Sequence, residues 1–262
     1  MQRQSGGGPN DPGNMIFFIV IMVIILFNVK PVDAYQKGSN DIATTIPDKA
    51  HLYLDQLDLE ILNYFPDMPM PPYFGALIEH ESCITLRHSR CWSPTSELKT
   101  KREQGIGFGQ LTRAYNSKGK IRFDTIGKLR ARYDHLKDLR WSTVRDRPDL
   151  QLRAIVTLYK QIYVQLPKHI SVMNRIMFSD AAYNGGYRGM YRDRQLCKLK
   201  KGCNPIIWLN NVEDTCSKST KPLYAGRSAC DINRHHVRDV VSRRTPKYIY
   251  YWLSNDWLWW NP

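Results

Sequence analysis

Three short strings in a fixed order can do chemistry together: Glu81-Ser82, Gly107-Phe108-Gly109-Gln110 and Ala182-Tyr183-Asn184-Gly185-Gly186. A carboxylic acid can protonate the leaving oxygen of a glycosidic bond while polar groups hold the sugar and shield a cation-like transition state. Glu81 is the candidate acid. The role needs a carboxyl that stays protonated near neutral pH, hence partial burial against apolar neighbours. Glu79 is the alternative, but it lies two positions away and faces another side of any helix.

The elements that must position these residues follow from periodicity. Leu52, Leu54, Leu57, Leu59, Ile61, Leu62 and Phe65 recur at mostly helical spacing until Pro66, Pro69, Pro71 and Pro72, which cannot continue a helix. Tyr73, Phe74, Ala76, Leu77 and Ile78 then predict a second helix with Glu81 near its C-terminal end, turned partly toward the buried face. Residues 85–109 read as an irregular loop whose alternate glycines allow close backbone approach. Helical periodicity returns over 123–139 and 149–166, the latter opened by Pro148. A further helix from Val172 delivers Tyr183 and Asn184. Residues 187–231, rich in cysteine, form a disulfide-stapled insertion, and 232–241 and 245–253 read as short helices before Trp252, Trp257, Trp259 and Trp260. With no strand-like alternation in competition, the class is mainly α.

Length and charge bound the partners. At 262 residues the chain has room for one packed domain and an N-terminal appendage. Its 38 Lys and Arg against 24 Asp and Glu, net charge +14, suit an anionic partner. The basic residues are scattered rather than aligned with stacking aromatics, so no nucleic acid is expected. Met15 to Phe27 is wholly apolar but short for a bilayer span. Residues 1–34 therefore read as a signal peptide cleaved after Val32-Asp33-Ala34, or as a signal-anchor held in the inner membrane by residues 15–29. Either way the domain is exported to the periplasm, with 35–49 a flexible leader and 50–262 the fold. Cys83, Cys91, Cys197, Cys203, Cys216 and Cys230 all follow the apolar run, as a disulfide framework would. Sequence does not choose their pairing; nearest neighbours would join Cys83 to Cys91, Cys197 to Cys203 and Cys216 to Cys230. A zinc site lacks ligand spacing, since only His235 and His236 stand together.

The three strings, followed by Thr245-Pro246-Lys247-Tyr248, resemble the four successive motifs of soluble-type lytic transglycosylases over Pro72 to Leu253. Cys91-Trp92, the cysteine-rich insertion and Arg243-Arg244-Thr245-Pro246-Lys247-Tyr248 are similar to transglycosylases encoded by tailed bacteriophages. A second Ala114-Tyr115-Asn116 is read as coincidence. The resemblance implies a lysozyme-like (goose-type/SLT) single catalytic domain. It implies cleavage of the MurNAc-GlcNAc β-1,4 bond of peptidoglycan strands with 1,6-anhydromuramoyl ends, in cell-wall degradation or host lysis, without a cofactor or metal. On it, Ser82 orients the glutamate or binds sugar, Gln110, Tyr183 and Asn184 bind substrate, and Tyr248 hydrogen-bonds Glu81. Two departures stand out: the longer interval from Glu81 to Gly107, and Arg244 where the family has a glutamate. The competing functions are a hydrolytic lysozyme with Asp124 or Glu103 as second carboxylate, and a non-catalytic, membrane-tethered peptidoglycan-binding protein.

Overall fold

The computed structural model describes residues 45–254, which are mainly helical with a small antiparallel sheet. The N-terminal apolar run and Trp257, Trp259 and Trp260 lie outside these residues. Among those described, no helix is long and apolar enough to cross a membrane. Ile46 and Ala50 already lie in the core, so the packed chain begins before the point where the leader was expected to end.

Helix α1 (Leu54–Tyr64) is followed by the proline segment and α2 (Tyr73–Ser82). Strands β1 (Glu97–Lys99), β2 (Glu103–Ile106), β3 (Leu111–Tyr115) and β4 (Ile121–Asp124) come next, then α3 (Thr125–Arg132), α4 (Pro148–Tyr163), α5 (Val172–Gly185) and α6 (Tyr187–Leu199). A hairpin, β5 (Pro222–Tyr224) and β6 (Arg227–Ser228), precedes α7 (Ala229–Val237), a π-helical stretch Arg238–Arg244 and α8 (Thr245–Ser254).

Helix α4 joins two cores. Leu152, Ile155, Val156 and Tyr159 face the larger one, with Leu54, Leu57 and Ile61 of α1, Phe74 and Leu77 of α2 and Phe178 of α5. Leu150 and Ala154, one turn apart on another stripe, face a smaller core with Ile106, Leu111, Ile126 and Leu129 beneath the sheet. Buried Glu60 of α1 accepts a two-pronged bond from Arg153 of α4, at 2.8 and 3.1 Å.

The sheet corrects the expectation of a loop over 85–109. Its strands are only 3 to 5 residues long, and part of their covered face is polar, so apolar alternation never develops. Gln104 donates to Glu97, Arg113 donates to Gln104, and the Arg113 guanidinium lies 4.4 Å from the Trp141 ring centre. The helix expected over 123–139 is shortened to α3: Asp124 caps its start by accepting from Gly127 N at 2.9 Å, and the chain turns extended at Tyr133 before a 3-10 turn, Asp134–Leu136. Within the 187–231 insertion, α6 is a regular helix.

The strand order β1-β2-β3-β4, all antiparallel, sends the β1–β2 and β3–β4 turns to one end of the sheet. There Tyr115 N donates to Arg102 O at 2.7 Å, and Lys99, Lys101, Arg102, Lys118 and Lys120 are exposed. Asn116 accepts from the amides of Lys118 and Lys120, so the second Ala-Tyr-Asn string serves a turn. The Gly107–Gln110 turn lies at the opposite end.

Candidate active site

Helix α2 carries two glutamates with opposite fates. Glu79 and Glu81 are about 200° apart around the axis, so one turns into the protein and the other toward its surface. Glu79 is 1% exposed. Its Oε2 accepts from the Tyr248 hydroxyl at 2.8 Å, and its Oε1 is held by both Arg244 and Lys247. The Glu81 side chain is 16% exposed, with Oε1 2.9 Å from His236 Nε2.

His236 is itself buried, and on its other side Nδ1 lies 2.7 Å from Asp180 Oδ2. The remaining oxygen of Asp180 accepts from the Tyr73 hydroxyl at 2.6 Å. Burial by itself favours a neutral ring, but the carboxylates of Asp180 and Glu81 outweigh it and hold the His236 pKa up to about 10. His236 is thus an imidazolium at neutral pH, donating one N–H to Asp180 and the other to Glu81. Burial raises the Tyr73 hydroxyl well above its ordinary range, with Asp180 adding to the effect, so Tyr73 remains a donor.

The glycine turn is fitted to its surroundings. Gly107 has φ 78°, and a Cβ there would stand 1.9 Å from Gln151 Oε1, the atom that accepts from Phe108 N at 3.0 Å. A Cβ on Gly109 would stand 2.4 Å from the Tyr183 hydroxyl, which donates to Gly109 O at 2.8 Å. Burial raises that hydroxyl far above its usual range, and the charges of Glu81 and Asp180 act in the same direction. Tyr183 is thus bonded to the turn and within electrostatic reach of Glu81. Gln110, at φ 46°, folds its amide nitrogen back onto Gly107 O at 3.1 Å and Ser96 O at 3.3 Å. Its buried Oε1 has no hydrogen-bond partner among the described residues. Asn184 is exposed, its Oδ1 accepting from buried Asn233 at 2.9 Å.

Two expected roles change. Tyr248 is fully buried and bonds Glu79, not Glu81, because α8 lies over the inner side of α2, where the Tyr248 ring touches Gly75. Ser82 is also buried: its hydroxyl donates to Ile78 O at 2.7 Å and accepts from Trp92 N at 3.0 Å, fixing the end of α2 rather than reaching a sugar. Arg244, the departure from the family pattern, finds its reason in Glu79 and in Asp239, which it bonds at 2.5 Å. His236 and Asp180 went unassigned from sequence. One signal existed: Asp180 sits within Ile176-Met177-Phe178-Ser179-Asp180-Ala181-Ala182, and a carboxylate in so apolar a stretch requires a partner.

Three disulfides join Cys83 to Cys91, Cys197 to Cys203 and Cys216 to Cys230. The first closes the loop that leaves α2 directly after Glu81. No cluster of His, Cys, Asp or Glu among the described residues could hold a metal ion. A cavity of about 400 Å³ lined by Tyr64, Tyr133, His135 and Gln161 shares no residue with the Glu81 site. No model of a known protein family matches the chain, and no curated protein is significantly similar to it in sequence.

Proposed function

We propose that the protein is a peptidoglycan lytic transglycosylase in which Glu81 is both acid and base. The observation that supports this best is the meeting of three distant strings: a half-buried Glu81, the Gly107–Gln110 turn, and Tyr183 bonded to that turn at 2.8 Å. The proton on Glu81 passes to the glycosidic oxygen as its bond to the muramoyl anomeric carbon breaks. The substrate's N-acetyl group supports that carbon, and the muramoyl 6-hydroxyl then closes on it, returning its proton to Glu81. In this reading exposed Asn184 meets the sugar, and Gln110 holds the glycine turn through Gly107 O and Ser96 O.

A hydrolytic lysozyme would use a second carboxylate to help water. Asp180 is the nearest through His236, but it is 0% exposed and both its oxygens are engaged. Asp124 accepts from Gly127 N and Trp141 Nε1, and Glu103 stands at the far end of β2 from the glycine turn. The tethered 6-hydroxyl keeps the effective concentration of an intramolecular nucleophile without such help. Three disulfides suit an exported protein, and the basic hairpin turns suit an anionic wall. Phage-mediated host lysis is the setting this reading favours.

Digestion of sacculi in heavy-oxygen water tests it. The expected products carry 1,6-anhydromuramoyl ends without solvent oxygen, and Glu81→Gln yields none. Solvent oxygen at the new anomeric ends would make the protein a lysozyme. Binding to sacculi without release of fragments would make it a non-catalytic binder.

A further inference from the structure

An acid at Glu81 needs a group that selects which carboxyl oxygen carries the working proton and steadies the charge once the proton has gone. We infer that His236, anchored by Asp180, is a positioning residue for Glu81: its Nε2–H occupies Oε1, so that Oε2 alone carries the mobile proton, and its cation stabilises the carboxylate left after donation. The inference rests on the proposed role of Glu81 and extends it.

The geometry is unusually complete. Each ring nitrogen of His236 faces a carboxylate, at 2.7 and 2.9 Å, and the ring is 2% exposed. Asp180 is fixed in turn by the Tyr73 hydroxyl at 2.6 Å. The other titratable groups around the ring are accounted for. His80 of α2 packs edge-on, with ring centres 4.4 Å apart, and is bonded to Asp239 of the π-helical stretch at 2.6 Å. His235 and Asp239 are near in the chain, and Tyr183 is within electrostatic reach of Glu81 and Asp180. Asp180 and Glu81 alone bond the ring.

Over a turnover the protons balance. Glu81 Oε2–H goes to the leaving oxygen as the C–O bond breaks, and the carboxylate faces the imidazolium. The 6-hydroxyl proton then returns to Oε2 as the new C–O bond forms, while His236 keeps both its protons.

The experiment is the pH profile of kcat on sacculi for the full chain, its His236→Gln and Asp180→Asn variants, and Glu81→Gln as reference. His236→Gln takes away the charge that faces Glu81, so it should displace the alkaline limb of the profile and lower kcat at least tenfold. Asp180→Asn should move it the same way by less. A profile merely scaled down, with its limb in place, would reduce His236 to a packing role. Should either variant fail to fold, ¹⁵N resonances of labelled histidine in the wild-type protein decide: His236 is expected to stay protonated beyond pH 8, and titration near the ordinary histidine range overturns the assignment. If Glu81→Gln stays active, the acid reading itself falls. If Glu81→Gln is dead while the His236→Gln limb does not move, only the positioning pair falls.

Discussion

The two glutamates of α2 give a pair of opposite expectations. Glu79 lies 1% exposed among Arg244, Lys247 and Tyr248, and Tyr248 already accepts from Trp92 Nε1 at 3.1 Å. Glu79→Gln leaves one acceptor oxygen where two served, and turns an amide N–H toward groups that are themselves donors. Removing one partner of a buried ion pair costs about 3–5 kcal/mol, which for a domain of this size lowers Tm by roughly 6 to 20 °C. The loss should shrink at alkaline pH, because burial pulls the Lys247 pKa down and the freed amine can shed its proton. Below its Tm, Glu79→Gln should still digest sacculi. Glu81→Gln should do the reverse, since the amide oxygen can still accept from His236: its Tm should stay near wild type while turnover disappears. Thermal unfolding followed by circular dichroism, beside dye release from labelled sacculi, reads both. A folded but inactive Glu79→Gln, or one that melts at the wild-type temperature, would refute the division of roles.

Replacing Cys83 and Cys91 together by Ser opens a bridge between residues 8 apart, and loop entropy puts the loss at about 2.5 kcal/mol; urea unfolding measures it, and an unchanged midpoint would mean the bridge adds nothing. Burial pushes the Asp58 pKa up to about 8, against an opposing hydrogen bond from Trp252. Its unfolded value is about 3.9, so the stability it contributes is complete below that pH and is lost as pH rises toward 8. Tm should therefore fall between about pH 4 and 6, below the window in which His236 titrates, and Asp58→Asn should flatten that slope. Reversing Lys118 and Lys120 to Glu should weaken binding to sacculi and its salt dependence while leaving Tm unchanged, as sedimentation at two ionic strengths would reveal.

Much of the site's frame was legible because its signals are local. Proline punctuation and apolar spacing predict α2 and the half-burial of Glu81, Pro148 opens α4, and the even set of cysteines announces the disulfides. The sheet was not legible, since each strand is too short for alternation and its covered face carries Gln104 and Arg113. The site's charges were the least legible. Whether a glutamate meets Tyr248 or His236 is decided by a 100° step per residue along α2 and by partners more than 150 residues away. The family resemblance suggested Tyr248 for Glu81, and the packing of α8 on Gly75 gave it to Glu79.

One segment, from His236 through the π-helical stretch to Tyr248, holds both glutamates: its first residue bonds Glu81 and its last residues bond Glu79. The residues they clasp are made 155 to 169 positions earlier. A chain that emerges from a ribosome or a translocation pore N-terminus first therefore presents α2 long before its clasp arrives. Until then Glu81 has neither its imidazolium nor a fixed rotamer, and Glu79 has no counter-ion to let it enter the core. The acid is completed only when nearly the whole domain has reached the compartment where it folds, so a chain stalled in transit before α7 carries Glu81, the glycine turn and Tyr183 but no working site.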